Sequence, residues 1–207
     1  MGRDVATAAL LGTASGVLDC FVFGFQVPQF ARRLFGDGAQ SASYLPLLSQ
    51  RLDSDVDDAW ELVNANLSLW LLISAALTLV GEAACFAGWW WSPPDSMQSL
   101  AFRLTAIFLP YMVFLCTMAQ AVSTLHAMGK FGLAVLCTVW VNVIWLVTAG
   151  WIVPTLTDNS TDQAMILAVA IVGAAALQCV LVAIPLFRAG YRWARVPLRG
   201  NADVRTI

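Results

Sequence analysis

Charge is what this sequence has least of. Asp, Glu, Lys and Arg together make up 12% of its 207 residues, against roughly 25% in soluble domains. The formal net charge of −2 excludes a broadly basic nucleic-acid binder. Histidine is nearly missing too: His126 stands alone, with no second imidazole to share a metal. No Walker A loop, H-E-x-x-H or G-x-S-x-G run occurs, which argues against an ATP-driven pump, a membrane hydrolase or any other enzyme. Nothing implies a cofactor or a metal. The five cysteines (Cys20, Cys85, Cys116, Cys137 and Cys179) show no C-x-x-C spacing and read as small buried hydrophobes. What the chain has instead is apolar residues, 59% of the total, with a mean hydropathy of +0.74. Its solvent is a bilayer, and its fold class is an all-α transmembrane helix bundle of about six helices.

Four stretches reach the roughly 20 apolar residues that a crossing needs. Leu62–Gly81 runs 20 residues without a charge, Leu104–Leu125 runs 22, Phe131–Val153 runs 23 and Ala164–Phe187 runs 24. Two weaker segments precede them. Val5–Leu18 is interrupted by Gly12 and Gly16, and a helix ending at Gly12 is only about 18 Å long. A cleaved signal peptide is the competing reading of this opening, but Asp4 cancels Arg3 and no clear A-x-A site follows. Val17–Phe35 is long enough but holds Asp19, Gln26, Pro28, Arg32 and Arg33. The expected segments are 3–15, 17–35, 60–91, 101–128, 131–153 and 163–188, making a bundle over 1–190 with a basic tail over 191–207.

The connections give the topology. Arg32, Arg33 and Arg51 lie between the second and third segments, Lys130 between the fourth and fifth, and Arg188, Arg192, Arg195, Arg199 and Arg205 at the end. The loops around Ser92–Ser99 and Pro154–Gln163 contain no Lys or Arg. The positive-inside rule therefore puts the Arg-rich side and the C-terminus in the cytoplasm, provided the second segment crosses. Trp60, Trp89, Trp90, Trp91, Trp151 and Trp193 sit at segment ends, as an interfacial belt requires. Between Gly36 and Trp60, Leu45, Leu48 and Leu52 recur at helical spacing, which predicts a short helix lying on the cytoplasmic surface.

Charges inside a span cost about 2.5–3.5 kcal/mol each on insertion scales and usually face a cavity or a partner. Asp19, Gln26 and Arg33 fall within about 40° of one line on an ideal helix, with Arg32 well round from it. Pro28 removes a backbone hydrogen bond there and can kink or reopen the turn. Two readings stay open: a polar cavity wall with its cations at the cytoplasmic mouth, or arginines that only anchor a helix end at the headgroups. Glu82 and Arg103 are expected to pair or to snorkel at the outer interface. Pro110 predicts a kink or hinge in the fourth segment, and Gly129 and Gly132 beside Lys130 a tight inner turn.

These residues carry a resemblance. Arg3-Asp4 resembles the G-F-x-R-D of the MurJ (MviN) flippases, and Asp19 with Phe21, Val22 and Phe25 resembles their D-A-F-F-V-A-F. Val27-Pro28-Gln29 followed by Arg32-Arg33-Leu34-Phe35-Gly36-Asp37-Gly38-Ala39 is similar to I-P-N-L-L-R-R-L-F-A-E-G-A. Ser41, Tyr44 and Pro46 stand where that pattern continues S-x-A-F-x-P. Leu109-Pro110-Tyr111 resembles F-P-Y, the run from His126 to Phe131 resembles L-N-x-x-x-R-F, and Val141-Asn142-Val143 resembles L-N-I.

The resemblance implies a lobe of a flippase in the multidrug/oligosaccharidyl-lipid/polysaccharide exporter superfamily, in the bacterial inner membrane. Its substrate would be lipid II, the undecaprenyl-pyrophosphate-linked precursor of peptidoglycan, needed for cell wall organisation and cell shape. Arg3, Asp19, Arg32 and Arg33 match positions that serve the cavity, with Asp37, Gln26 and Pro28 in support and Pro110 as hinge. Such flippases have about fourteen helices in two lobes, so this chain is expected to be incomplete alone. Its implied partners are the lipid-linked precursor, membrane lipids, and a separately encoded C-terminal lobe or a second copy, with no nucleic acid. The alternatives are a non-transporting remnant, an interaction partner in the membrane, or a lobe of a related polysaccharide-lipid or multidrug exporter.

Overall fold

The computed structural model describes residues 2–12, 16–35, 39–130 and 132–193. The described elements are α1 (Gly2–Leu11), α2 (Val17–Phe35), α3 (Ala39–Ser54), α4 (Val56–Trp91), α5 (Met97–Ala127), α6 (Gly132–Val147), a π-helical turn (Thr148–Ile152), α7 (Val153–Leu156) and α8 (Ser160–Arg188). Every regular element among the described residues is helical, as a low-dielectric solvent demands, because each backbone donor then finds its acceptor within the same segment. Among the described residues, four stretches are long and apolar enough to cross a membrane: Val56–Trp91, Met97–Ala127, Val139–Leu156 and Ser160–Arg188. Each overlaps one of the four uncharged runs of the sequence, with Val139–Leu156 beginning later and ending beyond the run Phe131–Val153. The chain is a multi-pass membrane protein.

The helices outrun the hydrocarbon at their polar ends, where side chains cap them. Asp55 accepts from the Asp57 amide at 2.9 Å, Ser96 from the Ser99 amide at 3.2 Å and Asn159 from the Thr161 amide at 3.2 Å. Each satisfies one of the orphan donors of a first turn. At 36 residues α4 is about 54 Å long, so its acidic first turn stands clear of a core about 30 Å thick. There Asp58 takes a 3.0 Å ion pair from Arg51 of α3.

Helix α5 is the axis of the bundle, packed between α2, α4 and α8. Two apolar clusters use it. One joins Leu11, Phe21, Leu104, Phe108, Trp145, Leu167 and Ile171 from α1, α2, α5, α6 and α8. The other joins Tyr44, Leu48, Leu62, Leu125, Val182 and Leu186 from α3, α4, α5 and α8. Buried Leu48 and half-buried Leu52 seat the short helix expected before α4. It is longer than Leu45–Leu52 and runs through Pro46.

The turn after α5 is built as the glycines suggested. Gly129 has φ +74°, and the Lys130 and Gly129 amides bond back to the Leu125 and His126 carbonyls, both at 2.9 Å. The same closure follows α8. Gly190 has φ +99°, its amide reaches the Phe187 carbonyl at 3.1 Å, and the Tyr191 amide reaches Leu186 at 3.3 Å. These are Schellman closures, which an L-residue at the left-handed position would strain. The second one folds Tyr191 back onto the bundle.

Candidate functional site

Helix α2 has one face that packs and one that does not. Val17, Cys20, Phe21, Gly24 and Pro28 are buried, and at 100° per residue they lie within about 60° of one direction. Gly24 sets the spacing to α5: a Cβ there would stand 3.1 Å from the Thr105 amide nitrogen and 3.2 Å from the Leu104 carbonyl carbon. Small residues let two helix backbones approach this closely in a membrane. Asp19 and Gln26 are exposed, about 180° round from the packed direction. By backbone register Arg33 shares their line. Exposed Val22, Phe23 and Phe30 border the stripe.

The structure thus brings Asp19 and Gln26 onto one unpacked face. Pro28 does not break the helix: α2 is continuous from Val17 to Phe35, with the proline ring on the packed side. Arg32 and Arg33 lie in its last turn and Arg3 in the first turn of α1; their side chains, and all of Asp37, lie outside the described residues. Pro110 sits midway along α5, which is likewise continuous from Met97 to Ala127. One turn of chemistry beside it was not foreseen: Thr78 of α4 donates to the Leu109 carbonyl at 3.4 Å.

An aromatic cluster holds α2 in this orientation. Phe25 meets Phe108 edge-on at 5.4 Å, Trp145 edge-on at 5.2 Å and Tyr111 at 5.7 Å. Phe21 meets Phe108 at 5.2 Å. Such pairs contribute about 0.5–1.5 kcal/mol beyond burial. Trp145 in turn donates its indole N–H to Thr7 Oγ1 at 3.0 Å, which joins α1 to the cluster.

At the other end of the bundle is a buried polar circuit that sequence reasoning missed. Tyr44, Asn66, Gln120 and Thr124 are all at most 4% exposed. Asn66 Nδ2 donates to Gln120 Oε1 at 2.7 Å. Thr124 Oγ1 donates to the Gln120 carbonyl at 2.9 Å, so in its 3.0 Å contact with Tyr44 the phenol is the donor. Burial pushes the Tyr44 phenol up to about 12, against the opposing pull of Thr124 and Asn66. Beside it Tyr191 donates to Asn64 Oδ1 at 2.7 Å, and Asn64 Nδ2 donates to the Arg192 carbonyl at 3.1 Å. The available signal was two asparagines two residues apart in an otherwise uncharged span.

Glu82 and Arg103 line one hollow between α4 and α5. Arg103 settles over the Trp89 ring, 5.6 Å from its centroid, so the cation snorkels to an aromatic at the span's end. Cys20 and Cys179 donate to the Met97 and Phe114 carbonyls at 3.3 and 3.1 Å, while Cys85 and Cys116 are buried. Among the described residues no cluster of His, Cys, Asp and Glu is disposed to hold a metal ion.

Residues 7–207 match the family described as Lipid II flippase MurJ. The chain belongs to the MurJ family. It is similar to the probable lipid II flippase MurJ of Vibrio cholerae, 31% identical over 177 residues covering 79% of this chain and 33% of the relative. The probable lipid II flippase MurJ of Bdellovibrio bacteriovorus is 33% identical over 161 residues, covering 70% and 29%. The lipid II flippase MurJ of Burkholderia cenocepacia is 29% identical over 164 residues, covering 75% and 31%. The chain spans about a third of the length of these curated MurJ relatives. Asp19, Arg32, Arg33 and Asp37 fall within the residues matched to the MurJ family, and Arg3 precedes them.

Proposed function

We propose that this chain is the amino-terminal bundle of a lipid II flippase and contributes one wall of the cavity through which the lipid-linked peptidoglycan precursor passes. The observation that carries the reading is the unpacked face of α2. Asp19 and Gln26 are exposed there, and a carboxylate turned to lipid costs about 2.5–3.5 kcal/mol. A water-filled cavity between two bundles removes that cost and gives the face a use. Arg32 and Arg33, with Arg3 from α1, supply guanidinium forks for the pyrophosphate, a pairing that is bidentate and charge-assisted. Asp37 and Gln26 complete the polar lining, and Pro110 lets α5 bend as the bundle rocks.

The remaining parts follow from the same reading. The Arg-rich connections and the C-terminal tail lie in the cytoplasm, so α3 rests on the inner leaflet. The cavity's second wall comes from a separately encoded lobe or a second copy. No step is chemical: the protein is a transporter and not an enzyme, and binding drives alternation between inward and outward openings.

The test is lipid retention. Purified protein should carry undecaprenyl-pyrophosphate lipids through isolation, and the Arg32→Ala/Arg33→Ala variant should lose most of them. Equal retention by both proteins would leave the arginines as headgroup anchors and sink the cavity assignment.

A further inference from the structure

Two opposite charges share one hollow without pairing. Glu82 of α4 and Arg103 of α5 both line a cavity of about 260 Å³ between these two helices. Glu82 is half-buried and Arg103 exposed. Among the described residues no ion pair joins them, and the Glu82 carboxylate accepts no hydrogen bond. Arg103 lies instead 5.6 Å from the Trp89 ring centroid. Two close approaches of α4 to α5 frame the hollow. A Cβ at Gly81 would stand 2.9 Å from the Leu109 side chain, and one at Gly88 would stand 2.5 Å from the Phe102 ring. Those glycines are about 10 Å apart along α4, and Glu82, Cys85 and Phe86 fall between them.

The depth of the hollow points to its ligand. The uncharged run Leu62–Gly81 has 20 residues, about 30 Å as a helix, and fills the hydrocarbon core by itself. Glu82 directly follows that run, and Arg103 directly precedes the uncharged run Leu104–Leu125. Both charges therefore stand where acyl chains meet headgroups, with Phe86, Phe102 and Ala106 as apolar walls. An unpartnered carboxylate at that boundary is costly and calls for a cation. Arg103 already covers a face of Trp89, so an entering cation meets the carboxylate rather than an open aromatic cage. That favours an ammonium with N–H donors over a quaternary one. The guanidinium suits a phosphate, which it can hold through two parallel hydrogen bonds.

We propose that this hollow binds the headgroup of a phosphoethanolamine lipid, with the ammonium on Glu82 and the phosphate on Arg103. Its lining comes from α4 and α5, so the site is distinct from the polar face of α2 and does not depend on transport.

The experiment titrates the full, delipidated chain in detergent and counts bound lipid by native mass spectrometry. The probes are phosphatidylethanolamine and phosphatidylcholine, which keeps the phosphate but has no N–H. The wild type should bind the ethanolamine lipid about tenfold more tightly. Glu82→Gln should erase that preference while binding the choline lipid as the wild type does, which also shows that the variant is folded. Arg103→Gln should weaken both lipids by about tenfold and keep the preference between them. Glycerophosphoethanolamine, the headgroup without its chains, should compete at least about tenfold less well than the lipid. Competition at equal concentration would overturn the lipid as the source of the ligand. Equal binding of the two lipids by the wild type would overturn the proposal without recourse to a variant. A preference that survives Glu82→Gln would overturn it too, because the ammonium would then lie elsewhere.

Discussion

Trp145 of α6 and Thr7 of α1 are joined by a 3.0 Å hydrogen bond between residues 138 apart in sequence, with both side chains buried. Helix α1 has ten residues, fewer than the roughly 12–15 that hold a helix by themselves. It therefore depends on its seat against α6, the π-helical turn and α8. Thr7→Val removes the acceptor and strands a buried indole N–H. The expected cost is about 1–2 kcal/mol, seen as faster amide exchange confined to α1. Thr7→Ser keeps the oxygen and should exchange at the wild-type rate. If both variants exchange alike, the apolar seat alone holds the helix.

Gly24 and Gly88 look equivalent in sequence but meet different neighbours. At Gly24 a Cβ is opposed by the backbone of Thr105 and Leu104, which cannot turn aside. At Gly88 it is opposed by the Phe102 ring at 2.5 Å, a side chain with rotamer freedom. Gly24→Ala should thus push α2 off α5 and cost about 1–3 kcal/mol. Gly88→Ala should cost less, once Phe102 rotates toward the membrane. Thermal unfolding in detergent ranks the two. A larger loss at Gly88 would contradict the packing order.

The hydrogen bonds of Tyr44 and Tyr191 carry a pH dependence of known sign. Burial raises Tyr44 and Tyr191 each to about 12, above the unfolded value of 10. Their contribution is complete below that unfolded value and is lost as pH rises through the folded one. The mobility of a spin label on exposed Gln50 of α3 should therefore be flat between about pH 6 and about pH 9 and rise only in stronger alkali. Tyr44→Phe should abolish most of that rise. A step near neutral pH would point to some other group.

What the sequence disclosed and what it concealed divide along a physical line. The spans were legible because bilayer thickness imposes a length, and Leu104–Leu125 or Ala164–Phe187 meet it without a charge. Gly129 beside Lys130 was legible as a turn. The polar line of Asp19 and Gln26 followed from helical period, and Pro28 falls on the opposite, packed side of a continuous α2. The buried polar pairs were not legible. Asn66 meets Gln120 across 54 positions and Tyr191 meets Asn64 across 127, and such pairs come from helix packing rather than from a local pattern. The π-helical turn after Trp145 leaves no mark in a continuous apolar run either. Its one glycine, Gly150, has open space where a Cβ would sit.

The two readings of α2, cavity wall or anchored helix, differ in what the middle of its unpacked face touches. A cavity contains water; a lipid-facing helix does not. Gln26→Cys places a thiol on the polar line, and Val169→Cys places one on an exposed, apolar position of α8. A thiol reacts as its thiolate, which forms in water and not in hydrocarbon. A water-soluble maleimide should label Cys at position 26 at least about tenfold faster than Cys at position 169, since one decade corresponds to about 1.4 kcal/mol of difference in thiolate stability. Adding undecaprenyl pyrophosphate should slow only the reaction at position 26. Equal and slow labelling at both positions would turn α2's exposed face toward lipid. The cost of Asp19 would then have to be met by a protein neighbour, and the reading of this face as a cavity wall would fall.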